Sequence, residues 1–198
     1  WRMDLTSKAI TKISSDRCES LRFDGSSIYY LNVGTTKATL HAMAEDGTND
    51  REIVSDGMDP FSLEVIGGKA YSVQDPAIGY KKLAVIDLTT GVLSETSQKC
   101  LSFVRGGDNE LFLYDGADKT LLDYKTDTAV GTTLMSALPS LSDLAYVNGQ
   151  LYAQDVAAKK LVQYANGGLT SLASVAPSGI VGDGTNLYFV AAKTSFVN

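Results

Sequence analysis

Histidine is almost missing from this chain, with one residue, His41, in 198. Cysteine is scarce as well, at two residues, and proline at four. A zinc site built from several Cys and His ligands is therefore excluded, and so is a dense disulfide framework. Basic residues are in the minority, 17 Lys and Arg against 23 Asp and Glu, for a net charge of −6. That balance argues against nucleic acid as a partner, because phosphate binding needs basic clusters. No apolar run approaches the roughly 18 residues of a membrane-spanning helix, so no membrane insertion is expected. What the chain has in quantity is glycine, 18 residues of it.

The glycines fall into a repeat. An apolar residue followed by an aromatic recurs at Ile28-Tyr29, Ala70-Tyr71, Leu111-Phe112, Leu151-Tyr152 and Leu187-Tyr188, and the aromatics are 42, 41, 40 and 36 residues apart. Eight residues upstream of each stands Leu21, Leu63, Val104, Leu144 or Ile180. Between the two columns lies a turn signal in every copy: Asp24-Gly25, Gly67-Gly68, Gly106-Gly107-Asp108, Asn148-Gly149 and Asp183-Gly184. Such pairs accept the positive φ that tight hairpins need. Two more short apolar runs follow in each complete copy, such as Leu83 to Ile86 and Val92 to Glu95, separated by polar turns. Four short strands in about 40 residues is the signature of one β-propeller blade. A helical repeat does not fit, because the runs are rich in Val, Ile, Tyr and Thr and no 3.6-residue period persists. A β-sandwich with accidental periodicity is the stronger rival.

The two ends complement each other. Trp1 to Lys8 matches a third strand and turn, best seen against Val85 to Gly91, and Ala9 to Ile13 matches a fourth strand. Ser178 to Ala191 supplies only a first and a second strand. The expectation is one all-β domain over 1–198, a propeller of five four-stranded blades. Blades at about 15–55, 56–97, 98–137 and 138–174 are joined by a fifth made of 175–198 with 1–14. The alternative is a segment of a longer propeller. The lack of an initiator Met fits a processed or trimmed chain.

At Ile28-Tyr29-Tyr30, Ala44-Glu45-Asp46-Gly47-Thr48-Asn49 and Ile53-Val54-Ser55-Asp56 the sequence resembles the uncharacterised bacterial propeller repeats related to low-density-lipoprotein-receptor propellers. The resemblance is close in the first repeat and looser in the next four. The receptor signature Tyr-Trp-Thr-Asp is absent, its places being taken by Tyr29-Tyr30-Leu31-Asn32 and Tyr71-Ser72-Val73-Gln74. The resemblance implies a secreted or cell-surface bacterial interaction domain.

Candidate chemistry is thin. His41 lies in a third strand with no Gly-x-Ser-x-Gly nucleophile elbow in the chain, which favours a half-exposed strand histidine over a catalytic base. Cys18 and Cys100 each precede an inner strand two blades apart, so two free, mostly buried thiols are expected rather than a bridge across the channel. The aromatic column is expected to form the core between blades rather than a row of sugar platforms. Acidic turns at Asp46 to Asp50 and Asp56 to Asp59 lack the calcium-loop spacing, and turn chemistry accounts for them. Ser20, Ser62, Ser102, Asp143 and Ser178 stand where inner strands begin and are expected to cap backbone groups. No metal and no cofactor is expected.

The column seven residues before the aromatics holds Arg22, Glu64, Arg105, Ala145 and Val181. In an inner strand these would edge the central channel. Arg and Glu there either pair with each other or, at Arg22 and Arg105, hold a small anion. The longest loop, Gln74 to Lys81, offers Tyr80 as an exposed contact residue. These features point to a non-enzymatic binding domain, monomeric, with a protein or glycan partner at the loop face or channel mouth. A propeller lectin is the alternative, weakened because no polar-aromatic set repeats in every blade. An enzyme comes last, for want of clustered His, carboxylates or metal ligands.

Overall fold

The computed structural model describes residues 1–34, 38–74, 79–183 and 185–191, with the side chains of 56, 57 and 60 left aside. Two compact units divide the chain, Trp1–Ser97 and Gln98–Asn198. Every regular element among the described residues is a strand.

The first unit contains β1 (Arg2–Met3), β2 (Ile10–Thr11), β3 (Cys18–Asp24), β4 (Ser27–Val33), β5 (Ala38–Ala44), β6 (Arg51–Ile66), β7 (Lys69–Gln74) and β8 (Lys82–Asp87). β9 (Leu93–Lys99) closes it, its last two residues crossing the division. β1 and β2 form a separate hairpin. β3 to β9 form one seven-stranded antiparallel sheet in chain order. Two four-stranded repeats are fused in it, because β6 serves both as the last strand of one and the first of the next. Its N-terminal half pairs with β5 and its C-terminal half with β7. The sequence reading placed an acidic turn at Asp56 to Asp59. Instead the strand runs on, but both its ladders slip across this stretch, with β5 between Val54 and Met58 and with β7 between Met58 and Leu63, and Asp59 Oδ1 accepts the Phe61 N–H as in an Asx turn. A bulge bends a strand without ending it.

The second unit contains β10 (Ser102–Arg105), β11 (Glu110–Asp115), β12 (Thr120–Lys125) and β13 (Val130–Met135) in one antiparallel sheet. A second sheet holds β14 (Leu141–Val147), β15 (Gln150–Asp155), β16 (Lys160–Ala165) and β17 (Gly168–Ala173). β18 (Pro177–Gly182) and β19 (Leu187–Ala191) form a hairpin of two strands only. Inner strands lie beside inner strands, β3 by β6 in the first unit and β10 by β14 by β18 in the second.

Each inner strand except β10 carries an irregularity. At three of them a residue nine before the aromatic has positive φ: Ser20 at 45°, Asp143 at 50° and Gly179 at 59°. Ser20 and Asp143 therefore sit inside strands, at bulges, rather than at strand entry, and Asp143 does cap a backbone group, its Oδ1 accepting the Gly179 N–H at 3.3 Å. The hairpin turns follow their chemistry, as at Asn148-Gly149, where both φ values are positive (51° and 74°), the pattern of a type I′ turn.

The cores lie between sheets. Leu31, Leu40 and Val54 of the first repeat pack with Leu63, Val65 and Ile86 of the second. Tyr114 and Leu121 pack with Leu141, Leu151 and Val162. Ala145 and Leu161 pack with Ile180, which begins the coverage of the β18–β19 hairpin. The aromatic column follows the same gradient. Tyr71 is 1% exposed, Tyr29, Phe112 and Tyr152 are half-buried, and Tyr188 is 51% exposed. The expectation of a uniform aromatic core therefore fails at Tyr188, which has no sheet on its outer side among the described residues of its unit.

Close approach of neighbouring repeats is marked by glycine. A Cβ on Gly91 would stand 2.9 Å from the Ile53 carbonyl oxygen, and one on Gly47 would stand 2.5 Å from that of Ile13. Both glycines also have positive φ. The two sites are alike: an outer turn rests on Ile53 of β6 in one and on Ile13, two residues past β2, in the other. The β1–β2 turn also matches the β8–β9 turn. Asp4 N–H bonds Ala9 O and Lys8 N–H bonds Asp4 O, as Asp87 N–H bonds Val92 O and Gly91 N–H bonds Asp87 O.

Candidate functional site

Arg22 and Glu64, seven residues before Tyr29 and Tyr71, are brought together. Arg22 Nη2 donates to Glu64 Oε1 at 2.7 Å, and Arg22 Nη1 donates to the Leu21 carbonyl at 2.8 Å. Glu64 is buried, so Arg22 compensates a carboxylate that would otherwise lose solvation unaided. Arg105 belongs to the other unit. Its Nε donates to Gly107 O at 3.4 Å and its guanidinium lies 4.0 Å from Asp108. Tyr80 is 60% exposed, while residues 75–78 of its loop lie outside the described residues. Both cysteines are free thiols, but only Cys100 is buried. Cys18 is exposed, which corrects the expectation for it. Partial desolvation and then the charge of Asp16 push the Cys18 thiol up.

A cluster that the sequence reading did not assemble lies on one face of β4, β5 and β6. Register places Tyr30 opposite His41, Asn32 opposite Thr39, and His41 opposite Glu52. Tyr30 is 0% exposed, and its hydroxyl lies 2.7 Å from Asp50 Oδ2 and 2.9 Å from Asp16 Oδ2. Asn32 Nδ2 donates to the same Asp16 oxygen at 3.1 Å. His41 Nδ1 is 3.3 Å from Asp50 Oδ1, and its Nε2 is 3.1 Å from Thr39 Oγ1. Burial, followed by the hydrogen bonds to Asp50 and Asp16, drives the Tyr30 phenol far above its ordinary range, so it stays protonated. The alternation of Tyr30 with Asn32 and of Thr39 with His41 signals one shared face. Asp16 and Asp50 come from loops, and only tertiary structure delivers them.

The turn ends of three repeats form clefts, each between a first and a third hairpin turn. One, about 280 Å³, is lined by Phe112, Tyr146, Gln150, Leu151, Tyr164 and Asn166, with no ionised side chain. The Phe112 and Tyr146 rings lie 5.0 Å apart there. A second is lined by Tyr29, Met43, Glu45, Asp46, Asn49 and Arg51 among others. The third includes Asp108, Glu110, Lys125 and Asp127, with Lys125 paired to Glu110 and to Asp123. Asp46 is held below the usual carboxylate range by the Thr48 hydroxyl and backbone N–H, the turn chemistry the sequence suggested.

Comparison with known proteins places the architecture. No family model matches the chain, and no curated protein matches it in sequence. Solved structures do. A structural genomics protein of unknown function from Bacteroides thetaiotaomicron VPI-5482 matches with a TM-score of 0.58 at 13% identity, over 89% of this chain and 52% of that one. A chain of a nidogen/laminin complex matches with a TM-score of 0.57 at 16% identity, over 81% of this chain and 65% of that one. The fold is all-β and propeller-like. The chain spans about half the length of the first neighbour and under two thirds of the second.

Proposed function

We propose that this chain is a non-enzymatic binding domain of a secreted or cell-surface bacterial protein, a monomer that meets a protein or glycan partner at a loop face or the channel mouth. The observation that carries this reading is the set of turn-end clefts, which occupy equivalent places yet differ in chemistry from repeat to repeat. A scaffold that holds position while varying its lining suits recognition. The resemblance of the first repeat to bacterial propeller repeats supports the extracellular placement. Tyr80, in the β7–β8 loop, lies at the end of its sheet opposite the turns that line the clefts and is the contact residue of that second loop face, while Arg22 and Glu64 edge the inner strands of the first unit and Arg105 an inner strand of the second. The lectin reading is favoured at one cleft only, where three aromatics and two amides match the apolar face and hydroxyl edge of a neutral sugar ring. An array of glycans and extracellular-matrix proteins tests the pair of readings. Protein capture weakened by Tyr80→Ala supports the first. Neutral-glycan capture lost in Tyr146→Ala and Gln150→Ala replaces it with the second.

The propeller is further proposed to have five blades, with β18–β19 as the inner half of the fifth and β1–β2 as the outer half. Both hairpins carry uncovered apolar side chains, Trp1, Met3 and Ile10 on one and Val181, Tyr188 and Val190 on the other. In that reading the turn equivalence of Asp4 with Asp87 supports a register with Leu187 opposite Met3, as Ala70 is opposite Ile86. A Met3→Cys/Leu187→Cys pair should then oxidise to a monomeric, internally linked chain, read by non-reducing electrophoresis and peptide mass. Linked dimers instead would assign the closure to a second copy. A longer propeller, in which further repeats supply the missing strands, is the competing reading that the partial coverage of both neighbours favours.

A further inference from the structure

The cluster around Tyr30 holds more negative charge than its partners answer. Tyr30 has one hydroxyl proton, and two carboxylates, Asp16 and Asp50, converge on it. Among the described residues neither carboxylate is paired with Lys or Arg. Glu52 adds a third acid 3.9 Å from His41 Nε2. A buried hydroxyl facing two carboxylates with no fixed cation is an unfavourable arrangement by itself. The third donor is not an acid: His41 presents Nδ1 to the same space, and one donor atom from each of Asp16, His41 and Asp50 lies within 4.8 Å of the others. The 3.3 Å between His41 Nδ1 and Asp50 Oδ1 equals the edge of a tetrahedron whose metal–ligand bonds are about 2.0–2.1 Å.

We infer that Asp16, His41 and Asp50 form a binding site for one divalent transition-metal cation, with carboxylate, imidazole and carboxylate as its protein ligands. Imidazole with carboxylate is a donor set suited to zinc and its neighbours, rather than to calcium, which takes six to eight oxygens. Tyr30 and Asn32 hold the carboxylates by hydrogen bonds, the Tyr30 hydroxyl also lying 3.4 Å from His41 Nδ1, and so fix the geometry of all three ligands. His41 Nε2 is held by Thr39, which leaves Nδ1 to face the cation. Asp16 and Asp50 are exposed, so water fills the remaining coordination positions. Bound there, the ion would tie the connector between β2 and β3 to the β5–β6 turn, and so would pin the N-terminal hairpin to the first repeat.

Titration calorimetry of the intact chain with Zn²⁺ tests the site, with Mn²⁺ as a second probe that thiols bind poorly. The expected result is one equivalent of each ion, with affinity falling at least tenfold in His41→Ala and in Asp50→Asn. Cys18→Ser and Asp46→Asn should leave it unchanged. Saturating Zn²⁺ should also raise the melting temperature of the parent and not of Asp50→Asn. Circular dichroism confirms that each variant keeps its strands, and His41→Gln stands in if the alanine variant does not fold. No binding by the parent, equal binding by His41→Ala and Asp50→Asn, or loss only with Cys18→Ser would each overturn the assignment, the last two leaving an adventitious ion only.

Discussion

The second repeat and the β18–β19 hairpin carry the same sequence pattern and end in opposite states. In β7 the run Ala70 to Val73 is buried on both faces, and the first repeat packs against one of them. In β19 the matching run, Leu187 to Val190, is half-buried at its start and exposed thereafter. Tyr71 and Tyr188 are the same residue in the same column, at 1% and 51% exposure. The difference lies in what covers them, not in the local chain. A blade strand is therefore only as buried as its neighbours make it, which is the general condition of repeat architectures.

The sharpest way to break this comparison is to truncate both rings. Tyr71→Ala should cost about 3–5 kcal/mol in urea unfolding, the range for losing a buried aromatic. Tyr188→Ala should cost at most about 1 kcal/mol if its exposure persists in solution. A Tyr188→Ala loss equal to that of Tyr71→Ala would show that the hairpin is covered there, as five-blade closure requires.

A smaller effect separates two glycines with the same backbone. Gly25 and Gly91 have φ of +67° and +71°, so alanine at either costs roughly 1 kcal/mol of strain. Gly25 has nothing near its added Cβ, whereas Gly91 meets Ile53. Gly91→Ala should therefore exceed Gly25→Ala by about 1–3 kcal/mol, the cost of forcing packed repeats apart.

The smallest effect is one of pH. Asp87 is held below the usual carboxylate range by the backbone N–H and hydroxyl of Thr90, and Asp4 by the backbone N–H and hydroxyl of Ser7. A depressed folded value means that the unfolded chain binds the proton more readily. The stabilisation is thus present above about pH 4 and is lost as pH falls through the lower folded value. Asp87→Asn should flatten the decline of melting temperature between pH 5 and 2. Asp4→Asn should do so less, because its turn belongs to a hairpin with little covering it.

Much of this was legible beforehand because hairpin chemistry is local. Asn148-Gly149 and Asp87 to Gly91 announce their turns by residue type, and the aromatic spacing then orders the strands. Arg22 and Glu64 were placed in one inner-strand column, and the structure joins them. Other features depend on what the rest of the chain does. Nothing in Asp56-Gly57 says that the strand will run on through a turn signal while both ladders slip around Met58. Ser20 and Asp143 look like entry caps until the ladder is seen to slip past them. Tyr30 and His41 were visible as strand residues, but their meeting with Asp16 and Asp50 rests on two loops folding over one face.

β6 has a consequence for how this molecule comes apart. In the second unit a linker, residues 136–140, separates the two complete sheets, which are coupled through side-chain packing and not through a shared strand. In the first unit the same backbone is the outer edge of one blade and the inner edge of the next. Peeling Val54 from Leu40 strains the strand that also holds Leu63 against Ser72. These two blades therefore form a single cooperative block, and partial opening of the chain must begin elsewhere.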